Sequence, residues 1–114
     1  MKALMFGLLT FSLISLADAL EPVYGEDGGP ILFYQESKDT KTTKGWHHVW
    51  HLEANNALQK VVRVYNVTCE GNALKDNEVR LGKGRAANAT FEYDTAKQDV
   101  EWGYDTDVEM AGED

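Results

Sequence analysis

A single cysteine, Cys69, constrains this chain more than any other residue. Small secreted domains commonly hold themselves together with disulfides, and one cysteine has no internal pair to make. An odd cysteine leaves a free thiol, a bridge to another chain, or a missing partner. Stability must then come from packing, in a chain so short that only ~60% of its unfolded surface is buried. The flanking sequence says what does the packing. "VVRVYNVTC", residues 61–69, is rich in β-branched residues and reads as a strand from about Gln59 to Cys69.

The secreted setting is read from the N-terminus. Lys2 precedes an apolar run from Ala3 to about Leu16, and Ala17-Asp18-Ala19 places small residues where a signal peptidase reads. This predicts a cleaved signal peptide over 1–19, because a membrane-spanning helix needs roughly 20 apolar residues. The remaining chain is one domain at most. The formal net charge of −8 argues against nucleic acid and anionic membrane as partners, since both require basic patches. The same charge favours cationic ligands over anionic ones.

Residues 20–45 read as a flexible leader. The stretch "LEPVYGEDGGP" holds both prolines, and "SKDTKTTKG" is polar throughout. Residues 46–114 form the predicted domain. "GWHHVWHLEA" has two periodicities. At helical spacing Trp46, Val49, Trp50, Ala54, Ala57, Leu58 and Val61 share a face; at strand spacing Trp46, His48, Trp50 and Leu52 oppose His47, Val49, His51 and Glu53. The helical spacing gathers more apolar residues, so a short helix is expected over Trp46–Leu52, with a turn at Asn55-Asn56. A weak strand is expected at 78–81, clear ones at 89–95 and 100–105, and a frayed acidic tail beyond. The fold class is therefore mainly β, an antiparallel up-and-down meander with a short N-terminal helix.

Two acceptor sequences for N-linked glycans, Asn66-Val67-Thr68 and Asn88-Ala89-Thr90, orient their strands. A glycan must face solvent, and side chains alternate along a strand. If Asn66 faces out, so do Val62, Val64 and Thr68, while Val61, Arg63, Tyr65, Val67 and Cys69 face in. If Asn88 faces out, so do Thr90, Glu92 and Asp94, while Ala89, Phe91 and Tyr93 face in. Val100, Trp102 and Tyr104 share one face of the last strand. An inward Arg63 needs a carboxylate or a wet cavity, unless it snorkels from a strand end. The inward rings either pack a core or line an apolar pocket with a few polar handles. The candidate ligand-binding residues are Trp50, Arg63, Tyr65, Phe91, Tyr93, Trp102 and Tyr104.

Catalytic and metal chemistry find no complete constellation. His47 and His51 sit at helical spacing near Glu53, but HExxH is absent and no third ligand is evident. No motif supports Cys69 as a nucleophile, and Gly82-Lys83-Gly84 lacks phosphate-loop spacing. No enzyme activity, metal or cofactor is expected.

"HVWHLEANNALQKVVRVYNVTC" followed by "ATFEYDT" resembles the salivary lipocalins of ticks, the group that includes the histamine-binding proteins. The resemblance covers roughly residues 46–105. It rests on Trp50 and Leu52, the Val- and Tyr-rich strand, Cys69, and the later Phe/Tyr alternation. It implies a lipocalin-like barrel enclosing a small host mediator, either a biogenic amine such as histamine or serotonin, or a leukotriene. Some members of that family bind host proteins instead. A lipocalin barrel has eight strands, whereas four or five are counted here, so a partial, incomplete barrel is expected. Cys69 would then lack a partner from a missing segment, and a dimer through Cys69 or through open strand edges is one outcome. The alternative function is a secreted protein-binding module that inhibits a host protease or complement component, anchored on Trp46, Trp50 and His51.

Overall fold

A computed structural model describes residues 20–110. The expected signal peptide and residues 111–114 lie outside the described residues. The described residues form eight strands: β1 Glu21–Tyr24, β2 Ile31–Thr42, β3 Gly45–Ala54, β4 Lys60–Cys69, β5 Asn72–Ala73, β6 Val79–Gly82, β7 Asn88–Thr95 and β8 Trp102–Met110. A single 3-10 turn, Glu26–Gly28, interrupts them, and the described residues hold no α-helix. The chain is mainly β with antiparallel sheets, as the strand patterns predict.

The strands form two sheets. One has the order β1-β2-β3-β7; in the other, β4 is central, with β8 along one edge and β6 and β5 along the other. Consecutive pairing holds for β1, β2 and β3. β7 then returns to β3 and β8 returns to β4, so the connections cross between the sheets, which do not close into a barrel. Residues from both sheets share one core, including Phe33, Trp50, Leu52 and Phe91 from the first and Val62, Val64, Val67, Cys69 and Leu81 from the second.

Residues 20–45, expected as a flexible leader, instead supply β1 and β2. Leu32 and Phe33 anchor β2 in the core, while its second half, 37–42, is exposed. That polar half is held by its partner. Pairs run from Phe33↔Ala54 to Thr42↔Gly45, giving one long hairpin. The expected helix over Trp46–Leu52 is therefore strand β3. His48, Trp50 and Leu52 face the core, at 0, 1 and 0% exposure. Trp, His and Val favour a pleated surface over a helix, and the flanking strands satisfy the backbone on both sides. The tail is likewise ordered further than expected, since β8 continues to Met110.

Alternation predicts β7 correctly and β4 incorrectly. In β7, Asn88, Thr90, Glu92 and Asp94 are exposed, while Phe91 is buried and Ala89 and Tyr93 pack on the core. In β4, Asn66 is exposed but takes a left-handed φ of 53°, at a register shift between Tyr65 and Thr68. Such a bulge adds a residue to one strand and resets its facing. Val62 and Val64, expected outside, are buried; Arg63 and Tyr65, expected inside, stand on the outer face. Beyond the bulge Val67 and Cys69 face in, as expected.

The two sheets are tied at one end. Ala54 N–H donates to the Ala87 carbonyl at 2.8 Å, and Gly82 N–H to the Ala86 carbonyl at 3.0 Å. The β6–β7 connection thus joins β3 to β6. Further along, β7 and the segment before β6 separate, and a cleft opens between them.

Candidate functional site

The inward rings fill space rather than line it. Trp50 lies 5.6 Å from Phe91, 5.8 Å from Trp102 and 4.8 Å from Tyr104 between ring centroids. Its indole N–H donates to Gln35 Oε1 at 2.7 Å. Tyr93 packs against the same cluster. Burial pushes the Tyr104 hydroxyl above its ordinary pKa, so it stays protonated. Trp102 Nε1 is buried with no hydrogen-bond partner among the described residues. Of the seven residues nominated from the sequence, Trp50, Phe91, Tyr93, Trp102 and Tyr104 come together as core.

Arg63 and Tyr65 lie elsewhere. The Arg63 guanidinium stacks 3.9 Å over the Tyr65 ring on the outer face of the second sheet. Its Nε donates to Glu78 at 2.8 Å, and Nη1 lies 3.8 Å from Asp107. The carboxylate partner that an inward Arg63 would require is present, but outside.

A candidate binding opening is the cleft between β7 and residues 74–79, with a volume of about 370 Å³. Leu74, Val79, Ala89 and Phe91 give it an apolar floor, and Asp76, Glu78 and Glu92 give it an acidic rim, with Lys75 beside them. Phe91 and Ala89 reach it because the β7 alternation turns them inward. Leu74 reaches it because the Glu70-Gly71 turn, with φ of 53° and 80°, sends the chain straight back along β4.

The three rim carboxylates differ. Arg63 holds Glu78 at 2.8 Å and Arg80 holds it at 3.0 Å, which keeps its carboxyl below the usual range. Glu92 shares its charge with His47, whose ring sits 2.8 Å from Glu92 and 2.6 Å from Asp94. These two hydrogen bonds, the Asp94 one foremost, raise the His47 pKa. Asp76 has no ion pair or hydrogen bond among the described residues. It is the rim charge left over for a ligand.

The histidines do not converge. His48 is fully buried, bonded at 2.7 Å to Asp39 and 2.6 Å to Thr95, whereas His47 and His51 face the opposite side of the sheet. Among the described residues no group of three His, Cys, Asp or Glu side chains is arranged to hold a metal ion. Cys69 is also fully buried, and desolvation first, then Glu70 and Asp39, pushes its thiol upward. The thiol is enclosed among the core residues and held toward its neutral form.

Sequence reasoning missed Leu74, Asp76, Glu78, Val79 and Glu92 as a group. Their signal would have been the edges: a cleft forms where β7 has no second strand neighbour among the described residues, and the sequence does not give the pairing order. No family model, no curated protein and no solved structure matches this chain.

Proposed function

We propose that this chain is a secreted, lipocalin-like binding protein that sequesters a small cationic host mediator, a biogenic amine such as histamine or serotonin. The reading rests on one observation: an unpaired Asp76 beside an apolar floor that includes Phe91. An aromatic amine has a ring for the floor and an ammonium for the carboxylate. The lining is about evenly apolar and polar, with Thr90 and Lys75 beside the carboxylates, and polar groups in a ligand site fix orientation. The net charge of −8 draws cations toward it. A volume of 370 Å³ is at the small end of the ~300–1,000 Å³ range for ligand sites, which favours an amine over a leukotriene. The seat is the side cleft rather than a barrel interior, because Trp50 and its neighbours occupy the interior.

Calorimetric titration with histamine, serotonin and a leukotriene tests this. Saturable heat with an amine, weakened about tenfold or more by Asp76→Asn, is expected for a charge-assisted hydrogen bond worth ~1.5–3 kcal/mol. Silence with both amines contradicts the reading. Of the three anchors of the protease- or complement-inhibitor alternative, Trp50 is buried, Trp46 is half-buried on the same face of β3, and His51 lies on the opposite face, so they form no single patch.

A further inference from the structure

The amine cleft makes no use of Asn66 or Asn88, yet each begins an acceptor sequence for an N-glycan. Transfer requires more than an exposed asparagine. The amide nitrogen and the threonine hydroxyl two residues later must reach the transferase together, so the three-residue segment has to leave its strand.

At Asn66 the fold holds that segment on both sides. β4 is the central strand of its sheet. Val67 is fully buried; its N–H donates to Asn77 O at 3.1 Å and its carbonyl accepts from Leu74 N–H at 3.3 Å. Thr68 pairs with Ala73 on one side and Gly103 on the other. Its hydroxyl packs onto Gly103 so closely that a Cβ there would lie 2.7 Å away. Asn66 Nδ2 itself donates to Asp105 Oδ2 at 2.9 Å. Freeing this segment means exposing core and parting β4 from β8 and β5.

Asn88 is placed differently. It begins β7, which among the described residues pairs with β3 alone. Asn88 and Thr90 are exposed and Ala89 is half-buried. The pairs with Glu53, Leu52 and His51, and the 3.3 Å contact of the Thr90 hydroxyl with His51 Nδ1, all on one edge, must open. The other side of β7 is the cleft.

The geometry points to Asn88 as the N-glycan acceptor that the folded chain offers, and to Asn66 as an acceptor only before β5 and β8 enclose β4. The donor is an oligosaccharide on a polyprenyl diphosphate. The sugar C1–O bond to diphosphate breaks, the Asn Nδ2–C1 bond forms, Nδ2 gives one proton to a carboxylate of the transferase, and the diphosphate leaves. Asn66 has a role that needs no sugar: asparagine is among the few non-glycine residues that accept a left-handed φ, as the bulge demands.

The test supplies an isolated oligosaccharyltransferase and its lipid-linked donor to the full, unglycosylated chain, and maps occupancy of both sites by peptide mass spectrometry. The Trp50→Asp chain, which cannot bury its core, reports the intrinsic preference of the transferase for each sequence. The Asn88-to-Asn66 occupancy ratio should be at least tenfold higher in the native chain than in Trp50→Asp. Similar ratios in the two chains overturn the assignment. So does an Asn88 that is filled only in Trp50→Asp. Because the enzyme is added in vitro, the outcome does not depend on amine binding or on export.

Discussion

β4 and β7 carry the same Asn-X-Thr pattern on opposite sheets, and the fold uses the two asparagines for different purposes. Asn88 sits at the start of an unbroken edge strand, so its outward position fixes every later side chain of that strand. Asn66 sits inside a central strand, where its left-handed backbone forms the bulge and separates the facing before it from the facing after it. An asparagine is thus a reliable compass only where it is not itself the irregularity. The residue type that marks an acceptor site is also the type that tolerates a left-handed backbone.

Truncations in the core that both strands share have the largest effect. Phe91→Ala in β7 should cost ~3–5 kcal/mol, as large aromatic truncations do, which is much of the stability of so small a domain. Val64→Ala before the bulge should also be clearly destabilising, while Thr90→Ala and other outward changes in β7 stay within about ±0.5 kcal/mol. Urea unfolding midpoints measure all three. If Val64→Ala is silent, the facing assigned to β4 is wrong.

A smaller effect isolates the bulge. Asn66→Ala removes the amide that lets asparagine tolerate the left-handed region and that donates to Asp105, and should destabilise by ~1–2 kcal/mol, whereas Asn66→Gly should cost less. Asn88→Ala, in ordinary extended backbone, should change little. Equal costs at 66 and 88 would remove the distinction between the two strands.

The smallest effect is a pH dependence on the β3–β7 side. The His47 pKa is raised by Asp94 and then Glu92, so its contribution is complete below about pH 6.5, the unfolded value. It is lost as pH rises through the higher folded value. Glu78 has the opposite sense: Arg63 lowers its pKa, so its contribution is present above about pH 4.3 and is lost on further acidification. His47→Gln should flatten the near-neutral loss of stability and leave the acid limb unchanged. An unaltered near-neutral slope would show that the Glu92–His47–Asp94 contact carries no stability.

The sequence makes some parts of this molecule legible and hides others for physical reasons. β7 is readable because Ala89, Phe91 and Tyr93 alternate with polar residues and nothing interrupts them. β3 is ambiguous because Trp46 and Trp50 fit both periods, Val49 completing a helical face and Leu52 a strand face, and only strand pairing decides between them. The outer half of β2 is hidden because Ser37, Lys38, Thr40 and Lys41 read as loop; a long hairpin, and not burial, makes them strand. Of the cleft, Phe91 and Ala89 follow from alternation. Asp76 and Glu78 do not, since they reach the site through the order in which strands pair.

Native-state thiol labelling at positions 62 to 65 decides between the two facings of β4. Val62→Cys, Arg63→Cys, Val64→Cys and Tyr65→Cys are compared, with the buried Cys69 as internal reference. The bulge at Asn66 predicts that Arg63→Cys and Tyr65→Cys react at least a hundredfold faster than Val62→Cys and Val64→Cys. Fast labelling at 62 and 64 with protection at 63 and 65 would contradict it.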